Sequence, residues 1–186
     1  MRIISGTLKG RLLKYIKNSN TRPLKDNVRE NIFNILEHSN LIKTKIKNSN
    51  ILDLYSGIGS FGIECISRGA EEVVFIEKDL RATDILKENL IKLSIDNKSQ
   101  IYTNRIENFL TKKIKKKFNI FFLDPPFIDK KYLENLKLIK KKELFDRNHI
   151  VIIHRELKSK EKFKDFFEVV DTKLYGRSKV IFGIFK

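Results

Sequence analysis

Residues 51–62, ILDLYSGIGSFG, pass from an apolar strand-like run through three glycines into a helix-like run. Gly57, Gly59 and Gly62 spell G-x-G-x-x-G, a spacing that lets the backbone turn tightly and approach a ligand where a strand gives way to a helix. Glu77, twenty residues after Gly57, closes the next apolar run, EVVFIE. A carboxylate at that strand end can accept hydrogen bonds from both hydroxyls of a ribose. The layout is that of a nucleotide-type site on an α/β sheet.

The same alternation continues outward. The runs ILDLY, EVVFIE, QIYT, NIFFL and HIVIIH are interleaved with SFGIECISR, LRATDILKENLIKLS, IENFLTKKI and KYLENLKLIKK. Near-continuously apolar strands between amphipathic helices predict a mostly parallel sheet with helices on both faces. A short helix, EKFKDFF, then precedes EVVDTKLYG and SKVIFGIF, which are expected to form an antiparallel C-terminal hairpin turning at Arg177-Ser178. This makes about seven strands in all. Upstream, RIISGTLKGRLLKYI looks like a hairpin, and DNVRENIFNILEH like a helix with Asp26 as its N-cap. The expectation is one domain over residues 1–186, with residues 1–25 as an arm packed on it.

Asp53 decides which nucleotide. A negative charge just before the glycine loop suits the cationic methionyl end of S-adenosylmethionine and has no partner in a pyrophosphate. With 186 residues, the chain is also short for a dinucleotide fold plus a substrate domain. Downstream, FNIFFLDPPFIDK ends a buried strand on Asp124, Pro125, Pro126 and Phe127. On the expected strand order these lie beside the glycine loop, at the edge where such sheets bind ligands. An exocyclic base amine is a poor nucleophile because its lone pair is delocalised into the ring. Asp124 and the Pro125 carbonyl can accept its two hydrogens, the prolines stiffen the turn, and Phe127 offers a face for the base.

The composition agrees. Lys and Arg number 39 against 23 Asp and Glu, a formal charge of +16, which attracts polyanions such as RNA; heavy use of Lys, Ile and Asn throughout is the competing, compositional explanation. KKIKKKF from Lys112 is either a solvated helix end or a phosphate contact. The single Cys65 excludes an internal disulfide and the three histidines are scattered, so no metal is expected. His154 and Arg155 end a strand near the site edge, where a capping or surface role is expected. Without a signal peptide or membrane span, the expected location is cytoplasmic.

Taken together, RIISGTLKGRLL, TRPLKDNVRENIFNIL, ILDLYSGIGSFGIECISRGAEEVVFIEKD, IFFLDPPF and YGRSKVIFGIF resemble the RsmD-type methyltransferases over nearly the whole length. The resemblance implies a Rossmann-like class I S-adenosylmethionine-dependent fold. It further implies methyl transfer to N2 of a guanine in 16S ribosomal RNA, free or within the 30S subunit or an assembly intermediate; a monomer is expected. Asp53, Tyr55, Gly57, Gly59, Glu77 and Lys78 would surround the cofactor, and Asp124 to Phe127 the guanine. Arg22, Pro23 and Arg29 would lie at the mouth of the site, with Arg22 and Arg29 contacting RNA; a helix-entry salt bridge to Asp26 or Glu30 is the equal alternative for both arginines. Arg105 stands where the family often has Asp or Asn to meet the adenine amino group, so Ile106 backbone, Asn104 or Glu107 are the other adenine contacts. Two further readings stay open: an adenine or cytosine amino-methyltransferase, and a non-catalytic RNA-binding assembly factor.

Overall fold

Side chains of a strand point alternately to opposite faces, and in the central strands of this chain both directions are apolar. A sheet of that kind must be covered twice. In the computed structural model, which describes residues 1–15 and 24–186, the elements follow the order α1 (Asp26–His38), β1 (Asn50–Leu54), α2 (Ser60–Ser67), β2 (Glu72–Glu77), α3 (Leu80–Lys92), β3 (Ser99–Thr103), α4 (Ile106–Thr111), β4 (Phe118–Leu123), α5 (Tyr132–Lys141), β5 (Phe145–Glu156), β6 (Phe167–Tyr175) and β7 (Ser178–Phe185). They build one seven-stranded sheet in the order β3-β2-β1-β4-β5-β7-β6. Strands β1 to β5 pair in parallel, and β7 runs antiparallel to both β5 and β6.

Ile51, Phe75, Ile120, Phe122 and Ile152 face α1, α2 and α3. Their neighbours Leu52, Val74, Phe121, Leu123 and Ile153 face α4 and α5. Phe61 of α2 stacks on Phe122 at 4.0 Å and on Phe33 of α1 at 5.1 Å, tying both helices to the sheet. Burying each such side chain contributes roughly 1.5–3 kcal/mol. The chain leaves β1 toward β2 on one side and reaches β4 on the other, so the strand order reverses at β1 and opens a crevice at the carboxyl ends.

Residues 1–15 lie on this core. The amides of Ile3, Gly10 and Leu13 donate across the arm to the carbonyls of Arg11, Ile3 and Met1, each at 2.9 Å, around an antiparallel Arg2–Leu12 bridge, so the arm closes as a short hairpin. Buried side chains hold the arm: Glu64 accepts from the Ile4 and Ser5 amides at 2.8 and 2.9 Å, and Asn89 from the Lys14 amide at 2.8 Å. Thr21, Arg22 and Pro23 lie outside the described residues.

Several boundaries differ from expectation. EKFKDFF forms only a single 3-10 turn, Lys164–Phe166, because Phe167 is already the first residue of β6 and packs on Phe163 at 4.6 Å. Helix α4 stops at Thr111, where Lys112 turns extended. The β6–β7 turn falls on Gly176-Arg177 rather than Arg177-Ser178, since Gly176 takes a left-handed φ of 55°. Asp26 is the first helical residue and not the N-cap; its carboxylate turns to Arg29 instead.

Parallel strands all begin at one edge, opposite the crevice. There Lys43, Lys45 and Lys47 point outward while Ile42, Thr44 and Ile46 are buried. The basic run after α4 reaches the same edge, and Lys142 Nζ donates to the Lys112 carbonyl at 3.1 Å. Among the described residues no helix is long and apolar enough to cross a membrane.

Candidate active site

A cleft of about 1320 Å³ opens over the carboxyl ends of β1, β2 and β4. Sites for one small ligand run to roughly 300–1000 Å³, so this one has room for two molecules side by side. Its walls bring together Asp53, Tyr55, Gly57, Glu77, Lys78, Arg105, Ile106 and all of Asp124 to Phe127.

The three glycines do different things. Gly57 has a φ of 55°, and a Cβ there would meet nothing, so its backbone is bare toward the cleft. Gly59 does not line the cleft: its φ is 81°, and a Cβ would come within 2.3 Å of Leu86 in the core. Its expected cofactor contact is therefore replaced by a packing and turning role at the start of α2. Gly62 lets α2 press onto β2, where a Cβ would stand 2.3 Å from Phe75.

Asp53 is 1% exposed. Its Oδ2 accepts from the Gly62 amide at 3.1 Å, and its Oδ1 is buried with no partner among the described residues. Burial holds this carboxyl well above the usual carboxylate range, and the nearby Asp124 and Glu77 charges add to the effect. An unpartnered buried carboxylate oxygen in a cleft wall fits a cationic amine such as the methionyl ammonium.

Glu77 stands at the end of β2. Its carboxylate accepts from the amides of Gly57 and Lys78 at 2.8 Å and Asp79 at 2.9 Å. A carboxylate has about four acceptor sites, so roughly one is left for a ribose hydroxyl instead of two. The same bonds lock the glycine loop to β2. Tyr55, with a left-handed φ of 61°, donates its hydroxyl to Asp129 at 3.0 Å. Burial, then the Asp129 charge, pushes that phenol upward, so it acts as a fixed donor. Arg105 and Asn104 are exposed on the cleft wall while Ile106 is buried. Asn104 Oδ1 already accepts from the Arg105 amide and from Asn108, both at 2.8 Å, leaving less of it for an adenine.

On the other side of the cleft, Asp124 follows β4. Its Oδ1 lies 2.8 Å from His154 Nδ1, which donates to it; His154 also meets the Phe127 ring edge-on at 5.9 Å. Arg155 donates to the carbonyls of Pro126 at 3.2 Å and Phe127 at 2.8 Å. Both residues touch the loop directly, beyond the capping or surface role expected of them. What could have pointed to them is their place at the carboxyl end of a strand next to β4. Phe127 is 38% exposed, with its ring available at the mouth.

Arg29 does not reach the cleft. Its side chain is fully buried, donating to the Arg2 carbonyl at 2.6 Å and pairing with Asp26 at 3.0 Å. The RNA contact expected of it is corrected to the helix-entry salt bridge. Arg22 lies outside the described residues. Among the described residues, the exposed cations that rim the cleft are Lys25, Lys78, Arg105, Lys131 and Arg177.

A sheet of this order with β7 antiparallel, a glycine loop after β1, a carboxylate ending β2 and an Asp-Pro-Pro-Phe turn after β4 define a class I S-adenosylmethionine-dependent methyltransferase. More narrowly, the chain belongs to the family described as conserved hypothetical protein 95, the RsmD family, whose model matches residues 1–184. It is 37% identical over 156 residues to a ribosomal RNA small subunit methyltransferase D from Buchnera aphidicola, covering 84% of this chain and 76% of that one. A Bacillus subtilis protein named as a candidate rRNA methyltransferase, YlbH, is 35% identical over 158 residues, with 84% and 83% covered. Among solved structures, a candidate methyltransferase of Escherichia coli, yhhF, superposes with a TM-score of 0.84 at 26% identity, covering 98% of this chain and 96% of that one.

Proposed function

We propose that the chain methylates the exocyclic N2 of a guanine in 16S ribosomal RNA, free or within the 30S particle. The whole chain acts as one methyltransferase domain with residues 1–25 as its arm. The observation that carries this reading is the meeting in one cleft of Asp53, with its unpartnered oxygen, and the Asp124–Phe127 turn. The relatives named as ribosomal RNA methyltransferases support RNA as the substrate. Action as a monomer in the cytoplasm, where ribosomal RNA would be met, is part of the same reading.

S-adenosylmethionine, when bound, supplies an electrophilic methyl on a sulfonium. The chain does the rest by placement. Asp53 would meet the ammonium and Glu77 a ribose hydroxyl, and the bare backbone at Gly57 would let the ligand come close, with Tyr55 and Lys78 on the flanks and Arg105 or the Ile106 backbone toward the adenine. Asp124 and the Pro125 carbonyl accept the two amine hydrogens, and Asp124 is within reach to take the proton the amine sheds. Phe127 stacks the base. Alignment of this kind lowers a barrier by about 7–11 kcal/mol, and stacking holds a base by about 1–3 kcal/mol.

Incubation with methyl-labelled cofactor and unmethylated 30S particles or 16S RNA tests the reading, followed by nucleoside analysis. N2-methylguanosine is the expected product. Methyladenosine or methylcytidine would assign the site to another amine, and no transfer at all would point to a binding protein.

A further inference from the structure

A turn built on Pro125-Pro126 has no amide hydrogen at either proline, so the backbone there can be held only through its carbonyls. Besides the Asp129 amide, which donates to the Pro126 carbonyl at 2.8 Å, the side-chain donor is Arg155, whose side chain is 4% exposed and whose two terminal nitrogens reach the Pro126 and Phe127 carbonyls at 3.2 and 2.8 Å. A guanidinium offers donors in a rigid fork; an ammonium is a point charge and does not replace it.

Burying a charge of this kind is costly unless it is paired, and a file of partners runs back from it. Glu161, 5% exposed, pairs by charge with Arg155 Nε at 3.5 Å, where Nε makes no hydrogen bond among the described residues, and lies 2.7 Å from Lys179 Nζ on β7. Burial raises the Glu161 carboxyl, but the bonds from Lys179 and Ser159 outweigh it and leave it below the usual range, so it stays an anion. The Arg155 guanidinium also sits 4.6 Å over the Tyr132 ring of α5. Adjacent strand residues point to opposite faces, yet His154 and Arg155 both grip the same turn, because it passes over the end of β5. His154 holds Asp124 on one side and Arg155 holds the backbone of Pro126 and Phe127 on the other.

We propose that Arg155, held by Glu161 and Lys179, is a positioning residue for the amine-accepting turn. This rests on the methyltransferase reading above. Arg155 does not line the cleft; through the Pro126 and Phe127 carbonyls it sets where the neighbouring Pro125 carbonyl and the Phe127 ring stand.

The test compares Arg155→Lys, Arg155→Met and Glu161→Gln in the full chain by kcat, KM for RNA, calorimetric cofactor affinity, melting temperature and hydrogen exchange of the Asp129 amide. That amide donates to the Pro126 carbonyl at 2.8 Å and reports on the turn without any turnover. Arg155→Lys and Arg155→Met are expected to lower kcat about 100-fold, the cost of a displacement near 1 Å, with cofactor affinity unchanged and Asp129 exchange accelerated. Glu161→Gln moves both readouts the same way but less. Unchanged kcat and exchange would overturn the proposal, as would loss of cofactor binding and melting temperature together with activity. If the unaltered chain methylated no RNA, the functional reading would fail while Asp129 exchange still decided the role of Arg155.

Discussion

Asp53 shows at the scale of one residue how burial becomes chemistry. Its carboxyl is raised above the usual 3.8, chiefly by desolvation, so the ligand-free fold loses stability as pH rises from 3.8 through the folded value. A cationic amine beside Oδ1 favours the carboxylate. Binding of S-adenosylmethionine is therefore expected to release a proton at pH values just below the raised folded value, and to tighten as pH rises toward it. Calorimetry in buffers of different ionisation enthalpy reads this release directly, and Asp53→Asn should abolish it. Asp53, Glu77 and Asp124 were legible in the sequence because chemistry-bearing residues at strand ends stand out against apolar runs. Arg29 was not: whether an arginine beside two acids meets RNA or Asp26 depends on the burial that the arm and α1 create. His154 and Arg155 carry no motif, and their meaning appears only when β5 lies beside β4.

Two elements carry predictions of their own. Helix α2 packs on β2 through Gly62, where an added methyl meets Phe75. Gly62→Ala should cost about 1–3 kcal/mol of stability in denaturant titration, as overpacking does, while leaving the open position at Gly57 untouched. Strand β7 ends on Phe185, whose amide donates to His149 Nε2 at 2.9 Å while His149 Nδ1 donates to the Asp146 carbonyl at 2.8 Å. Burial lowers the His149 pKa from 6.5, more than its backbone bonds raise it. The contribution is then fully present above 6.5 and is lost as pH falls through the lowered value, since protonated Nε2 no longer accepts. Melting temperatures should drop as pH is taken below 6.5, and His149→Gln should flatten that part of the profile. The order of helices and strands was readable from periodicity, because each central strand is apolar in both directions. Helix ends and the turn at Gly176 were not, for they depend on which phenylalanines the far strands bury and on one left-handed φ.

For the molecule as a whole, the charge of +16 predicts an RNA affinity that falls steeply with salt. Lys113, Lys115 and Lys117 are exposed just before β4, at the edge away from the cleft. Each phosphate contact adds about 0.7–0.9 to the slope of log affinity against log salt. Replacing these three lysines by Gln should lower that slope by about 2–3 in filter binding to 16S RNA without changing kcat; an unchanged slope would make that edge mere solvated surface. Composition announced the charge, but only the parallel sheet says which lysines share an edge.

β7 lies between β5 and β6 and supplies Lys179 to the file behind the Asp-Pro-Pro-Phe turn. During synthesis, the cofactor half of the cleft and the turn itself are complete in sequence by residue 127. The grip on that turn waits some fifty residues longer, until the strand at 178–185 leaves the ribosome and inserts. A nascent or truncated chain would thus carry every motif of the enzyme while its amine site is still unset, and the step that sets it is the closing of a sheet.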